Sequence, residues 1–391
     1  MTEKYNRILK EVIQNDLEKR PVVVITGPRQ VGKTTLAKQL IEGTDGQFIY
    51  LDLERPSDHI KLFDAELYFS SRRNKLIIID EVQRTPELFP IIRAEVDEQR
   101  TPGRFLLLGS SSDQLLLQSS ESLAGRVSYR ELHPFNVFEV PALSIPTLWL
   151  QGGYPEAFLL EEKDASQWLS NFVRAYISRE LATTKLRIDS VGFERFVRII
   201  ATLHGQQVNY NSISRATGFT IPTLRHYLDF LAQSFLIRLV TPYAVNNKKR
   251  LVKSPKLYIR DSGILHNLLS ISTSEELEGN LIKGASWEGF VIQQIISILP
   301  NQFDYYYYRT SNGAESDLVI TKANKPIATF EIKYSNSPST TKGMSEAIQD
   351  LACEHHFIVT PSSDEFLMRA KLLVIPIARL PHHLTRLGMV L

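Results

Sequence analysis

A chain of 391 residues is too long for one hydrophobic core, since single cores stop growing at roughly 250–300 residues, so two or three domains are expected. Apolar content of 43% and charged content of 23% are ordinary for a globular protein, and a net charge of +2 confines any basic surface to a local patch. One cysteine, Cys353, excludes an internal disulfide and a cysteine-based metal cluster, and no apolar run reaches the roughly 18 residues a membrane span needs.

The N-terminal stretch lacks a signal-peptide core, which together with the single thiol points to a reducing cytoplasm. Tyr5, Ile8, Leu9, Val12, Ile13 and Leu17 recur at helical spacing and predict an amphipathic helix. Val22 to Ile25 then reads as a buried strand. It runs into Gly27-Pro28-Arg29-Gln30-Val31-Gly32-Lys33-Thr34, which satisfies G-x-x-x-x-G-K-[ST] and with Thr35 makes the nucleotide-binding set, and then into a helical pattern, Leu36 to Ile41, stopped by Gly43. Strand, glycine loop and helix N-terminus in that order aim backbone N–H groups at one point, where phosphates bind. Lys33 is placed to reach the β- and γ-phosphates of ATP, and Thr34 to hold Mg²⁺.

Phe48 to Leu53 and Leu76 to Ile79 read as further strands, the second ending in Asp80-Glu81. An apolar strand that delivers two adjacent carboxylates suits nucleotide hydrolysis: Asp80 on the metal side, Glu81 polarising the attacking water. Phe105 to Leu108 is another strand, with Gly109 to Ser112 at its tip as a γ-phosphate sensor or a simple helix cap. Arg126 is a candidate arginine finger, in cis or in trans, or else a structural arginine. Pro141 and Pro146 mark the close of this first domain, at residues 1–145.

The segments GPRQVGKTT, LIIIDEVQ, LLLGSSS, SLAGRV and Gly152-Gly153-Tyr154-Pro155-Glu156 together resemble a widespread family of bacterial and archaeal ATPases. The resemblance covers essentially the whole chain. It implies an AAA-type P-loop domain followed by a C-terminal domain of unknown function with a restriction-endonuclease-like core.

Residues 146–275 read as helical, with Trp168 to Leu181 and Phe193 to Leu203 at helical period. Tyr210 to Thr217, a turn at Gly218 and a second helix from Pro222, capped by Thr220, form a helix-turn-helix. Leu224, Tyr227, Leu228 and Leu231 share its core face, while Thr223, Arg225 and His226 point away. Phe235 to Val240 and Lys256 to Arg260 are then the strands of a wing. Between Phe230 and Arg260 there is no Asp or Glu, but there are Arg238, Lys248, Lys249, Arg250, Lys253 and Lys256, local positive charge of the kind DNA phosphates require.

In residues 276–391, Trp287 to Leu299 reads as a helix with Glu288 near its start, and Phe303 to Arg309 as a strand. On Ile327 to Tyr334, Glu331 and Lys333 alternate onto one sheet face, and Asp317 heads the preceding strand. Two carboxylates and a lysine suit Mg²⁺-dependent phosphodiester hydrolysis, with Asp317, Glu331 and Glu288 on the metal and Lys333 on the water or the phosphorane. The arrangement is similar to the PD-(D/E)xK nuclease signature, although Ser316 stands where the motif has proline. The expected fold class is therefore α/β: a P-loop domain, a helical and winged-helix domain, and a nuclease-like domain. Two functions compete. One is an ATP-driven DNA-handling enzyme that cleaves; the other is a nucleotide-controlled DNA- or protein-binding switch whose nuclease-like domain is inactive. ATP and DNA are the expected partners, no membrane is, and assembly into a homo-oligomer is left open.

Overall fold

The computed structural model describes residues 5–42, 47–110, 123–182, 190–244, 252–361 and 364–391, with backbone alone for 179–182 and 190. The chain forms two compact units, Met1–Pro134 with Gln233–Phe235, and Phe135–Ala232 with Leu236–Leu391.

Unit 1 runs α1 (Leu9–Lys19), β1 (Val22–Thr26), α2 (Lys33–Leu40), β2 (Phe48–Asp52), α3 (Pro56–Lys61), α4 (Ala65–Ser70), β3 (Leu76–Asp80), α5 (Leu88–Glu98), β4 (Phe105–Leu108) and β5 (Val127–Glu131). Its sheet has the order β2-β3-β4-β1-β5 with every pair parallel. The sequence dictates this. Val22–Thr26 and Phe105–Leu108 are buried throughout, as strands covered on both faces must be, and parallel sheets are built of such runs. Val22, Val24, Ile77, Ile79, Phe105 and Leu107 meet Phe69, Phe89, Ile92 and Val96 from the helices in one core. Each fully buried side chain of this size contributes about 1.5–3 kcal/mol, so the core outweighs the few tenths from local propensity. With all strands parallel, β1, β3 and β4 end at the same edge, with β4 between the other two. That edge is where α/β sheets place ligands.

In unit 2 the helices α6 (Ile145–Gln151), α7 (Pro155–Leu159), α8 (Glu162–Ala182) and α9 (Ser190–Thr202) precede the short pair α10 (Tyr210–Thr217) and α11 (Ile221–Gln233). Asn209 caps α10 by accepting from the Ser212 N–H, and Gly218 ends it at φ +76°, a left-handed turn that glycine enters without a Cβ penalty. Leu224, Tyr227, Leu228 and Leu231 are buried as their spacing predicts, with Tyr227 edge-on to Phe193 and Phe196. Then β6 (Ile237–Val240) and β7 (Lys256–Ile259) pair antiparallel, and Gln207 bridges to Lys256 on the other side of β7.

After α12 (Ser262–Leu268), α13 (Ser274–Glu278) and α14 (Lys283–Ile296) comes a six-stranded sheet. It comprises β8 (Phe303–Arg309), β9 (Glu315–Lys322), β10 (Lys325–Ile332), β11 (His355–Thr360), β12 (Phe366–Arg369) and β13 (Leu372–Pro376), in the order β12-β13-β11-β10-β9-β8. The first three strands are an antiparallel meander; α15 (Lys342–Leu351) then connects β10 to a parallel β11. The chain closes with α16 (Leu380–Arg386).

The sequence suggests borders near 145 and 275, whereas the structure is compact in two pieces. Hydrogen bonds explain the joining of the later parts. Tyr243 donates its N–H to the Tyr307 carbonyl at 2.7 Å, Tyr307 donates to Thr241 at 3.1 Å, and Val252 donates to Arg309 at 3.2 Å. The segments flanking the β6–β7 loop thus run along β8, the outer strand of the six-stranded sheet. An open strand edge is a row of unpaired backbone groups, and this covering satisfies part of it.

Candidate functional sites

In unit 1 the loop from Gly27 to Gly32 turns tightly. Gly27 has φ +147°, and a Cβ there would lie 2.3 Å from the Leu132 carbonyl oxygen, so no other residue fits. Gly32, at φ +99°, is the N-cap of α2 and brings no side chain to that helix end. The first turn of α2, from Lys33 to Thr35, therefore opens at the loop with no side-chain cap from Gly32 and carries the positive end of the helix dipole. Pro28 and Val31 are buried, Arg29 is half-buried, and Gln30 is exposed with φ +60°. Lys33 is buried, and its Nζ donates to the carbonyls of Gly27 and Pro28, each at 2.8 Å, which places the ammonium inside the curve of the loop.

The end of β3 meets this loop from across β4. Thr34 Oγ1 donates to Asp80 Oδ2 at 2.6 Å, and the Tyr50 hydroxyl donates to the same oxygen at 2.5 Å. Burial, then the Asp80 carboxylate beside it, pushes the Tyr50 phenol far above its ordinary range, so Tyr50 stays a donor. Glu81 follows with φ +56°, a conformation that a non-glycine residue holds only where its surroundings impose it. Gln83 Nε2 donates to Glu81 Oε2 at 2.5 Å and to Ser110 Oγ at 3.1 Å, and Ser110 Oγ stands 3.4 Å from the same Glu81 oxygen. The polar residue at the tip of β4 therefore holds Glu81; Ser111 and Ser112 lie outside the described residues, as does Gly43.

Two arginines change the picture drawn from sequence. Arg126 does not reach the phosphate loop of its own chain. Val22 pairs with Val127 in parallel register, so Arg126 sits at the start of β5, the opposite end of the sheet from Gly27, about 20 Å of strand away. There it makes a two-pronged ion pair with Asp97 of α5, at 2.5 and 2.9 Å, and donates to the Ala124 carbonyl. Arg7, to which the sequence assigns no role, is buried and ties the loop down: its Nη1 donates to the Val31 carbonyl at 3.0 Å and its Nη2 to His133.

The second cluster lies in unit 2. Lys256 of β7 is buried, with Nζ 3.0 Å from Glu288 of α14, 3.1 Å from Glu315 and 3.7 Å from Asp317 of β9. Tyr258, two residues on along β7, donates its hydroxyl to Glu288 at 2.5 Å. Asp317 also accepts the Ile332 N–H at 2.8 Å. Glu331, near the end of β10, pairs with Lys333 at 2.7 Å through Oε1, while its Oε2 is buried without a hydrogen-bond partner. Asp317, Glu331 and Lys333 are thus neighbours, as their strand positions predict.

The electrostatics follow from burial and crowding. Burial, then Glu288 and Glu331, pushes the Asp317 carboxyl well above the usual range, against Lys256 and the Ile332 N–H. Burial also raises Glu331, opposed by Lys333. Burial alone would lower Lys256, but Glu288, Asp317 and Glu315 outweigh it and hold the ammonium above its ordinary range.

The sequence assigns Glu288, Asp317 and Glu331 to a metal; as folded, their carboxylates meet the ammonium groups of Lys256 and Lys333. Among the described residues no group of three or more His, Cys, Asp or Glu side chains is arranged to hold a metal. The physical reason is Lys256: Glu288, Glu315 and Asp317 converge on its ammonium, and Glu331 turns to Lys333. The arrangement does not fit a directly bound cation.

Residues 19–140 match the family described as AAA domain. Fold, glycine loop and acidic strand end agree with it, so unit 1 carries an AAA-type P-loop ATPase domain, a unit that binds and hydrolyses ATP. Residues 143–275 and 283–380 match two further families, each described as a domain of unknown function (DUF8612 and DUF4143). Over 366 residues the chain is 39% identical to "Uncharacterized protein Rv2008c" of Mycobacterium tuberculosis and to "Uncharacterized protein Mb2031c" of Mycobacterium bovis. Each match spans 93% of this chain and 82% of the relative, so the chain belongs to the family of these mycobacterial proteins. Among solved structures, the Walker-type ATPase PABY2304 of Pyrococcus abyssi is similar at 16% identity and TM-score 0.47, covering 68% of this chain and 96% of its own. A RuvB variant of Thermotoga maritima is similar at 20% identity and TM-score 0.29, covering 60% and 89%. No helix of the described residues is long and apolar enough to cross a membrane.

Proposed function

We propose that this protein is an ATP-driven DNA-binding switch: unit 1 hydrolyses ATP, the winged helix of unit 2 binds DNA, and a nuclease-like sheet forms the platform behind it. The observation that carries the first part is the meeting of Lys33, Thr34, Asp80 and Glu81 at one sheet edge. The Lys33 ammonium and the N–H groups opening α2 offset phosphate charge. Glu81 Oε2 accepts a proton from the attacking water, held in place by Gln83 and Ser110. Thr34 and Asp80 are the hard-oxygen pair suited to Mg²⁺, which supplies further charge neutralisation when it accompanies ATP.

The DNA reading is supported by the α10–α11 pair followed by the β6–β7 hairpin, with Arg225 and His226 exposed on α11 and Lys253 exposed before β7. Lys248, Lys249 and Arg250 lie outside the described residues. Neutralising these three together is expected to weaken DNA binding and flatten its salt dependence, by about one unit of slope for each phosphate no longer engaged. Anisotropy titrations over a range of salt concentrations measure it, and an unchanged slope refutes the assignment.

A second reading, cleavage, is favoured by one arrangement. Helix α14, strands β8 to β10, helix α15 and strand β11 follow the αβββαβ order of nuclease-like cores, with Asp317, Glu331 and Lys333 side by side. Labelled single-stranded, duplex and branched DNA, incubated with ATP and Mg²⁺ or Mn²⁺, separates the two. Binding without cleavage is the expected result; cuts that vanish in a Glu331→Ala, Lys333→Ala protein would establish the enzyme instead.

A further inference from the structure

We propose that the cavity between the N-terminal ends of α10 and α11 and the segment entering β7 is a pocket for an unpaired DNA base, so that this protein selects duplexes carrying a bulged nucleotide. The inference rests on the reading of the helix pair and hairpin as a DNA-binding unit, and it names the DNA that unit prefers.

Three observations carry it. First, the cavity has the size and lining of a base site. Its volume of about 510 Å³ lies within the roughly 300–1,000 Å³ usual for small-ligand pockets. Val208 is buried and Ile221 half-buried, which gives it apolar walls, and Gln207 and Asn209 bring amides, the groups that pair with base edges. Among the described residues no Asp, Glu or Lys lines it, and Arg225 is its one charged group. A phosphate site gathers several cations; a single guanidinium amid amides and apolar walls suits a neutral base. Second, the cavity holds a stacking platform. The exposed Arg225 guanidinium lies over the half-buried Tyr210 ring, 5.1 Å from its centroid. Tyr210 opens α10 and packs against the core of the helical part, which fixes the ring. Aromatic rings and guanidinium planes are the two protein surfaces on which unpaired bases stack.

Third, one donor at the cavity is left over. Gln207 Nε2 is buried and has no hydrogen-bond partner among the described residues. An enclosed N–H without an acceptor destabilises the protein, and the ring nitrogens and carbonyls of a base are acceptors of the right kind. The position of the cavity completes the case. Arg225 belongs both to the cavity and to the exposed face of α11, so a duplex held along that helix passes the mouth. A second cavity of about 560 Å³ shares Gln207 and Asn209 with the first and leaves room for a flanking nucleotide. Paired bases stay stacked inside the duplex and cannot fill the pocket, whereas an unpaired one leaves the stack at least cost.

The test is an anisotropy titration of the full chain with three labelled duplexes: fully paired, with one extra unpaired deoxyadenosine, and with an abasic residue at that bulge. The native protein is expected to bind the adenine bulge about ten-fold more tightly than the paired duplex. The ratio should hold across salt concentrations, because stacking, unlike phosphate contact, releases no counter-ions. The abasic bulge bends in the same way without a base and should lose the gain. Tyr210→Ala should bring bulged and paired affinities together, while Tyr210→Phe keeps them apart. Where Tyr210→Ala does not fold, Gln207→Ala with Arg225→Ala carries the same expectation for the ratio. Equal native affinities for bulged and paired DNA, an abasic bulge bound as tightly as an adenine one, or a preference that these variants leave intact overturns the pocket and leaves the DNA-binding reading standing. A preference erased by excess deoxyadenosine monophosphate assigns the cavity to a free nucleotide and also overturns it. Binding to none of the three duplexes overturns both readings.

Discussion

A Lys33→Ala protein is expected to turn over no measurable ATP, and a Glu81→Gln protein to bind ATP while hydrolysing it about 10²–10³-fold more slowly. The two losses differ because the residues act at different points. Lys33 brings a buried positive charge to the inside of the loop, where it meets the phosphates in the ground state and in the transition state alike. Removing it strips binding and catalysis together. Glu81 stands at the end of β3, its carboxylate held by Gln83 and Ser110 for the water. The glutamine keeps the shape and loses the base. Nucleotide binding by calorimetry and phosphate release by steady-state assay separate the cases. Native turnover in Lys33→Ala, or lost binding in Glu81→Gln, would refute the site.

Gly152→Ala is expected to destabilise unit 2 by about 3–5 kcal/mol, enough to consume much of a domain's stability. Gly152 ends α6 at φ +79°, and a Cβ there would stand 2.1 Å from Asp261 Oδ1. Strain in that region costs about 1–3 kcal/mol for a non-glycine residue. The clash adds the loss of Asp261, whose carboxylate accepts the Gly153 N–H at 2.8 Å and caps α12 through the Ile264 N–H at 3.0 Å. Gly263 closes the joint, because a Cβ on it would lie 2.0 Å from the Gln151 carbonyl oxygen. Burial raises Asp261 to about 6, outweighing the N–H donors of Gly153, Ile264 and Gly263. The folded state then holds this proton more tightly than the unfolded chain, so this part of the stability is present below pH ~4 and is lost as pH rises through about 6. Urea unfolding of Gly152→Ala and of Asp261→Asn checks both points: the first should shift the midpoint, the second should flatten the pH slope. A Gly152→Ala midpoint equal to native would show that the joint tolerates a side chain.

What is legible in the chain depends on how local each signal is. Strands β1, β3 and β4 are apolar runs, and the phosphate loop is eight consecutive residues, so these stand out without any partner, whereas β5, Val127–Glu131, carries no such run. Gly152-Gly153 is visible as a motif but not as a reason; the reason, Asp261, lies more than a hundred residues away. Arg126 could not be placed from sequence, because nearness to nucleotide-site strands says nothing about which end of a parallel strand a residue occupies. Local charge makes Lys256 one of the wing's basic residues. That its ammonium turns to Glu288 and Glu315 depends on a packing no window of sequence contains. Glu315, Tyr50, Gln83 and Arg7 are invisible as site residues for the same reason, although Gln83 stands inside the segment LIIIDEVQ.

The run of Thr241, Tyr243 and Val252 along β8 has a practical corollary. Dissecting this protein at residue 276, where sequence patterns change, would amputate the lining of that outer strand and present fresh adhesive backbone to neighbouring molecules. A soluble excised piece has to start upstream of the hairpin, so that the sheet keeps its own selvage.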